Sequence, residues 1–242
     1  MYNSEHYDFI VSPLIDILKN GLTACKGVED SIASFPMSDD VLKSLFLKMT
    51  GAQEQKMKCI LWDIATIDYE FRYKYLKDSN KYGECSSYGS KNLIYKTIID
   101  KIKNLDNSFN ISQIFDVNKL KQIIKEIKEI SDNTIISIWQ KREYDFYKTN
   151  YSKKININQI AKDTNLFESS LQDVYEKVVY KHRNKCAHNT LSYQRNKPDL
   201  KTIAEDDYGY QNYYFRYTLI IIIDSIFMAL YKKYTILQPN RY

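Results

Sequence analysis

Thr218-Leu219-Ile220-Ile221-Ile222-Ile223-Asp224-Ser225-Ile226-Phe227-Met228-Ala229-Leu230 is the most apolar run of the chain. It is shorter than the roughly 20 residues that cross a bilayer, and Asp224 interrupts it in the middle. The run reads as the centre of a buried helix from about Tyr210 to Tyr234. A helix that is apolar on every side must be covered by other elements. The rest of the sequence offers helices to do so. No segment alternates convincingly as a strand, and six glycines and four prolines are too few for short strands joined by tight turns. The expected fold class is all-α, with residues 1–242 forming one domain.

Working outward, apolar residues recur at helical spacing in several stretches. Phe9, Ile10, Leu14, Ile17 and Leu18 predict a helix over about 7–19, and a second short one is expected over 22–33. Together they make an N-terminal helical extension over 1–40. Ser38-Asp39-Asp40 supplies a helix start with early negative charge. The longest candidate runs on from there, from Val41 to about Lys77, with Gly51 tolerated inside it. Further helices are expected over 93–105, 117–130, 133–147 and 155–166, and then from Glu168 to about His188. Residues 78–90 and 189–207 read as loops.

The chemistry-bearing stretch is Lys181-His182-Arg183-Asn184-Lys185-Cys186-Ala187-His188-Asn189. Asn184 and His188 are four apart and share a helix face. Arg183 can hold a phosphate by charge-assisted bonds, and His188 can move a proton near neutral pH. These groups suffice for metal-independent phosphodiester cleavage. A ribose 2′-hydroxyl attacks the phosphorus, His188 acts as acid or base, Arg183 stabilises the added negative charge, and Asn184 orients the phosphate or imidazole. The products would be a 2′,3′-cyclic phosphate and a 5′-hydroxyl. One imidazole rarely serves as acid and base in a single step, so a homodimer with a shared cleft is expected. On spacing alone a second reading stays open: Arg183 caps the helix C-terminus and His188 is a satisfied boundary residue. Lys181, His182 and Lys185 read equally as holders of flanking phosphates or as solvated charges.

The string HRNKCAHN, late in a helical chain and followed by one more long helix, resembles the Rx4–6H signature of the HEPN superfamily. Arg183, Asn184 and His188 match the functional positions. The resemblance implies a HEPN-like helical bundle with additional helices. It also implies a metal-independent endoribonuclease working as a dimer in antiphage defence or as a toxin, held in check by a separate antitoxin or regulatory protein. Other members are inactive RNA-binding domains, so a non-catalytic RNA-binding or protein-interaction module is the alternative, followed by a structural subunit of a larger complex. A subset of HEPN toxins carries a modified tyrosine two residues after the histidine. Thr190 stands there, with Tyr193 the nearest tyrosine.

Composition sets the remaining expectations. The net charge of +5 suits a polyanionic partner such as RNA without demanding one. Cys25, Cys59, Cys85 and Cys186 show no CxxC spacing, so no metal site, cofactor or disulfide framework is expected, and a cytoplasmic setting is the simplest reading. The start MYNSEHYDFIVSP lacks the pattern of a secretory signal, and no membrane association is expected. Glu54 and Lys58 read as an ordinary exposed i,i+4 pair, and Lys48 and Arg72 as similar surface charges. The cluster Tyr208, Tyr210, Tyr213, Tyr214 and Tyr217 with Arg216 reads first as packing and second as a base-stacking surface. His6 lacks an arginine and an amide at matching spacing.

Overall fold

The apolar run lies inside a helix of 25 residues, Tyr213–Leu237, which is the axis of the molecule. A computed structural model of the chain describes residues 5–26, 28, 35–77, 82, 85–188 and 208–238. Its helices are α1 (Tyr7–Val11), α2 (Leu14–Thr23), α3 (Phe35–Ile67), α4 (Tyr69–Lys77), α5 (Tyr88–Leu105), α6 (Val117–Asp132), α7 (Ile136–Trp139), α8 (Lys141–Lys154), α9 (169–188) and α10 (Tyr213–Leu237). The fold is all-α. Among the described residues the only β pairing is an isolated bridge between Ile160 and Phe167.

By length and composition α10 could cross a membrane, so the short apolar run does not by itself exclude a span. Within the fold, 83% of its most apolar window is buried, packed by the helices around it. Asn212 caps its start by accepting the Phe215 N–H at 3.2 Å. Polar bonds tie α3, α8 and α2 to it. Gln53 of α3 donates to the Ile220 carbonyl at 2.9 Å. Tyr147 of α8 bonds Thr218 Oγ1 at 2.8 Å, and Tyr217 donates to the Leu42 carbonyl of α3 at 2.8 Å. Asp224 accepts from Lys56 Nζ and from the backbone N–H of Leu14, each at 2.8 Å. Buried polar groups of this kind need hydrogen-bond partners, and these find theirs on neighbouring elements.

Three expectations about local structure need correction. The helix expected over 7–19 breaks at Ser12-Pro13, where both residues are extended; Pro13 lacks an N–H and starts α2 instead. Leu22 and Thr23 then close α2, so the second short helix does not begin there, and the rest of its range lies outside the described residues, apart from isolated positions. The helix expected over 155–166 is a 3-10 turn (Ile157–Gln159) leading into a tight reversal, with Ala161 at φ 50°. Asp163-Thr164-Asn165 favour turns because their side chains compete for backbone groups. Helix α5 stabilises the reversal: Tyr95 donates to the Lys162 carbonyl at 2.7 Å, and Asn92 accepts the Leu166 N–H at 2.8 Å.

The long candidate over 41–77 is helical through Gly51 but interrupted at Asp68. Asp68 accepts the Phe71 N–H at 2.8 Å and starts α4. Arg72 turns back, with Nε donating to the Ala65 carbonyl at 2.8 Å and Nη2 to the Thr66 carbonyl at 3.1 Å, so it ends α3. That is a capping role rather than a free surface charge.

Candidate functional site

Helix α9 carries the motif and changes register on the way to it. Its first part is α-helical (Ser169–Tyr175), its middle is a π turn (Glu176–Tyr180), and its last part is α-helical again (Lys181–His188). The Lys181 N–H reaches the Glu176 carbonyl, five residues back. The extra residue lets Val178 and Val179 both face the core. It also coincides with an external bond: Arg216 Nε of α10 donates to the Val178 carbonyl at 2.9 Å. Such single-turn insertions recur at functional sites because they re-aim the side chains beyond them.

Past the π turn, Arg183 is aimed at α3. Its Nη2 lies 3.2 Å from both carboxylate oxygens of Glu54. Its Nη1 donates to Asn184 Oδ1 at 3.3 Å. The two side chains of the ion pair are only 19% and 11% exposed. Glu54 is therefore the buried partner of Arg183 rather than half of an exposed pair with Lys58. Sequence spacing could not show this, because the partners are 129 positions apart.

A residue not singled out in the sequence completes the cluster. Lys91, on α5, is buried and donates to the Cys85 carbonyl at 2.7 Å. Burial pulls its ammonium down to about 8, while the negative charge of Glu54 pulls the other way. Cys85 is held at φ 62°, a conformation unusual for a residue with a side chain, and burial raises its thiol above the ordinary range. Tyr175 is buried beside the group, and burial, then Glu54, raises its phenol. Arg183 pairs with Glu54, and Lys91, which bonds the Cys85 carbonyl rather than the carboxylate, stands near enough to feel its charge. The sequence signal for Lys91 was weak: a lysine inside an apolar helical stripe.

The other sequence candidates separate. Lys181 and Lys185 are exposed on the motif helix. His182 points toward α10 and α3, with Nε2 3.2 Å from the Tyr213 hydroxyl and 3.4 Å from Cys186 Sγ. Its ring meets Phe46 edge-on at 5.0 Å. Burial, then the charges of Arg216, Lys185 and Lys43, push its imidazole down to about 2, so it is neutral here. His188 is the last residue of α9, and its side chain lies outside the described residues, as do Asn189, Thr190, Tyr193 and the rest of 189–207. Tyr214 and Tyr217 are buried in packing, Tyr213 stacks on Tyr217, and Arg216 lies 5.0 Å from the Tyr213 ring centre. Packing therefore accounts for these three tyrosines. Among the described residues no three His, Cys, Asp or Glu side chains converge as a metal-ligand group.

Comparison of the chain with protein-family models, curated proteins and solved structures returned no match.

Proposed function

We propose that the chain is a HEPN-like, metal-independent endoribonuclease that acts in the cytoplasm as a dimer, in defence or growth arrest. The observation that carries this reading is the arginine of the motif. Arg183 is fixed in advance by Glu54 and Asn184 and is half-buried on the motif helix. A guanidinium positioned in advance stabilises a phosphorane without reorganising during the reaction. Asn184 then acts as the positioning residue for Arg183. His188 is the proton-transfer group, and a second copy supplies the complementary acid or base. Lys181, exposed on the same helix, and Lys185 add phosphate contacts. A separate antitoxin or regulatory protein would restrain the activity.

One observation favours a different reading. Both carboxylate oxygens of Glu54 lie within reach of Arg183 Nη2, as a structural ion pair locking α9 onto α3 would require. In that case the same face binds RNA or protein without turnover. Single-stranded RNA incubated with the protein in EDTA separates the two. The nuclease reading expects fragments with 2′,3′-cyclic phosphate ends, and their loss in His188→Ala and Arg183→Ala variants that still unfold cooperatively. Intact RNA with the wild-type protein, or undiminished cutting by both variants, would refute it. Expression in a bacterial host gives a second readout, with the wild type toxic and His188→Ala harmless.

A further inference from the structure

Helix α3 packs against α10 and α9 on two of its sides, and among the described residues nothing covers a third. Along that third side, Lys58, Trp62, Thr66, Tyr69, Tyr73 and Leu76 succeed one another at steps of 4, 4, 3, 4 and 3 residues, crossing from α3 into α4. Lys58, Trp62 and Thr66 share one face of α3, and Tyr69, Tyr73 and Leu76 share one face of α4 beyond the break at Asp68. Arg72 links the two, donating to the Thr66 carbonyl at 3.1 Å and lying 5.8 Å from the Tyr69 ring centre. All six are exposed, Trp62 by 63%, Tyr69 by 76% and Tyr73 by 63%. Large aromatics at such exposure are not core residues, and their regular spacing is not that of singly scattered surface residues.

The charge beside them is mainly positive. Lys58 lies on the strip and Arg72 and Lys77 border it, with Arg72 5.8 Å from the centre of the Tyr69 ring. Among the described residues the strip itself has no carboxylate. Glu70 lies on its flank, while Asp63 and Glu54 turn inward to partners. The strip begins beside the motif cluster, because Lys58 is one helical turn beyond Glu54, the partner of Arg183. On a rise of 1.5 Å per residue, Tyr69 and Tyr73 stand about 6 Å apart along the axis, close to two base-stacking steps.

We infer that this face binds unpaired nucleic acid, with bases stacking on Trp62, Tyr69 and Tyr73 and phosphates passing Lys58 and Lys77. Stacking on aromatic rings beside a positive track is how proteins hold single strands without reading their sequence. Continuity with the Arg183 cluster gives the strand a direction of travel, toward the motif helix. This rests on the proposed RNA-directed function, and names its substrate class as single-stranded.

The test uses the full chain and a fluorescein-labelled 2′-O-methyl oligouridylate of about 12 nucleotides, within the span of known single-strand sites. That probe lacks the 2′-hydroxyl nucleophile, so binding is read whether or not the protein cuts RNA. Binding should quench tryptophan emission, because Trp62 is exposed while Trp139 is buried. Tyr69→Ala and Tyr73→Ala should each weaken binding roughly 5- to 100-fold, the range seen when a stacking partner is removed. Lys58→Ala and Lys77→Ala should each flatten the salt dependence by about 0.7 in log–log slope. A duplex of equal length should compete poorly. The inference is overturned if the variants bind as wild type, if tryptophan emission is unchanged, or if sedimentation shows the strip joining two protein copies without nucleic acid. Strip-dependent binding without cleavage of natural RNA would sink the nuclease and leave this inference standing. Cleavage unaffected by the strip variants would do the reverse.

Discussion

Asp224→Asn probes the one charge at the centre of the apolar helix. Asp224 and Lys56 are 2.8 Å apart with side chains only 3% and 4% exposed. Lys56 also donates to the Ser12 carbonyl, and Asp224 also accepts the Leu14 N–H at 2.8 Å, which opens α2. An asparagine has one carbonyl oxygen. It can serve Lys56 or the Leu14 N–H, and its amide nitrogen then faces the other donor. Breaking a buried pair in this way costs about 3–5 kcal/mol. In a chain of this length that lowers the melting temperature by roughly 6–20 °C. Lys56→Met should cost less at acid pH. Burial already raises the Asp224 carboxyl above its ordinary value of 3.8, and removing the lysine raises it further. A carboxyl raised by folding is stabilising below its unfolded value, and that stability is lost as pH rises through the folded value. The Lys56→Met variant should therefore approach wild type on acidification from neutral pH toward about 4. The double variant Lys56→Met/Asp224→Asn should be more stable than the summed single costs imply. Urea unfolding followed by circular dichroism measures all three. If the single costs simply add, within about 0.5 kcal/mol, the pair is not coupled and this account of the core is wrong.

His182 is held neutral by its surroundings, with a folded value far below the unfolded 6.5. Its stabilising share is therefore complete above that unfolded value and drains as pH falls below it. Urea midpoints of His182→Phe should change less than those of wild type between about pH 7.5 and about pH 5; equal changes would refute the neutral assignment. The Arg183–Glu54 pair lies between the exposed and buried extremes. Glu54→Gln and Arg183→Met should each cost about 1–3 kcal/mol, and less than the sum when combined. Additive losses would mean that the contact does not hold α9 to α3.

What the sequence revealed and concealed divides by the range of the interaction. The apolar run at 218–230 marked α10 because its covering is needed whatever surrounds it. The tolerance of Gly51 was legible for a similar reason, since one glycine costs only about 1 kcal/mol inside a long helix. The break at Pro13 was hidden by an apolar period that continues across it. The cap that makes the new helix start favourable is Asp224, 210 positions away. The reversal at 160–167 was likewise concealed, because α5 supplies its hydrogen bonds. In α9 the neighbouring buried pair Val178–Val179 was the one visible sign of a register change. The motif itself was visible as spacing, but the partners of its arginine were not.

Helix α3 explains why those distant partners matter. Gln53, Glu54, Lys56 and Asp63 are all buried on it, an arrangement that would be unfavourable without specific partners. Three find theirs on α10, Gln53 at the Ile220 carbonyl, Lys56 at Asp224 and Asp63 at Tyr231 with His6 as well, and Glu54 finds Arg183 on α9. Hydrophobic packing alone would let α3 rotate or slide by a turn with little penalty. These four groups forbid it, since any other register buries several of them unsatisfied. The same constraint fixes the outward face of α3, so that Lys58 and Trp62 point into solvent while Lys56 and Asp63 are held inside. Substitutions on the inward positions should thus lower stability before they alter binding. Substitutions on the outward positions should alter binding while leaving the unfolding midpoint where it was.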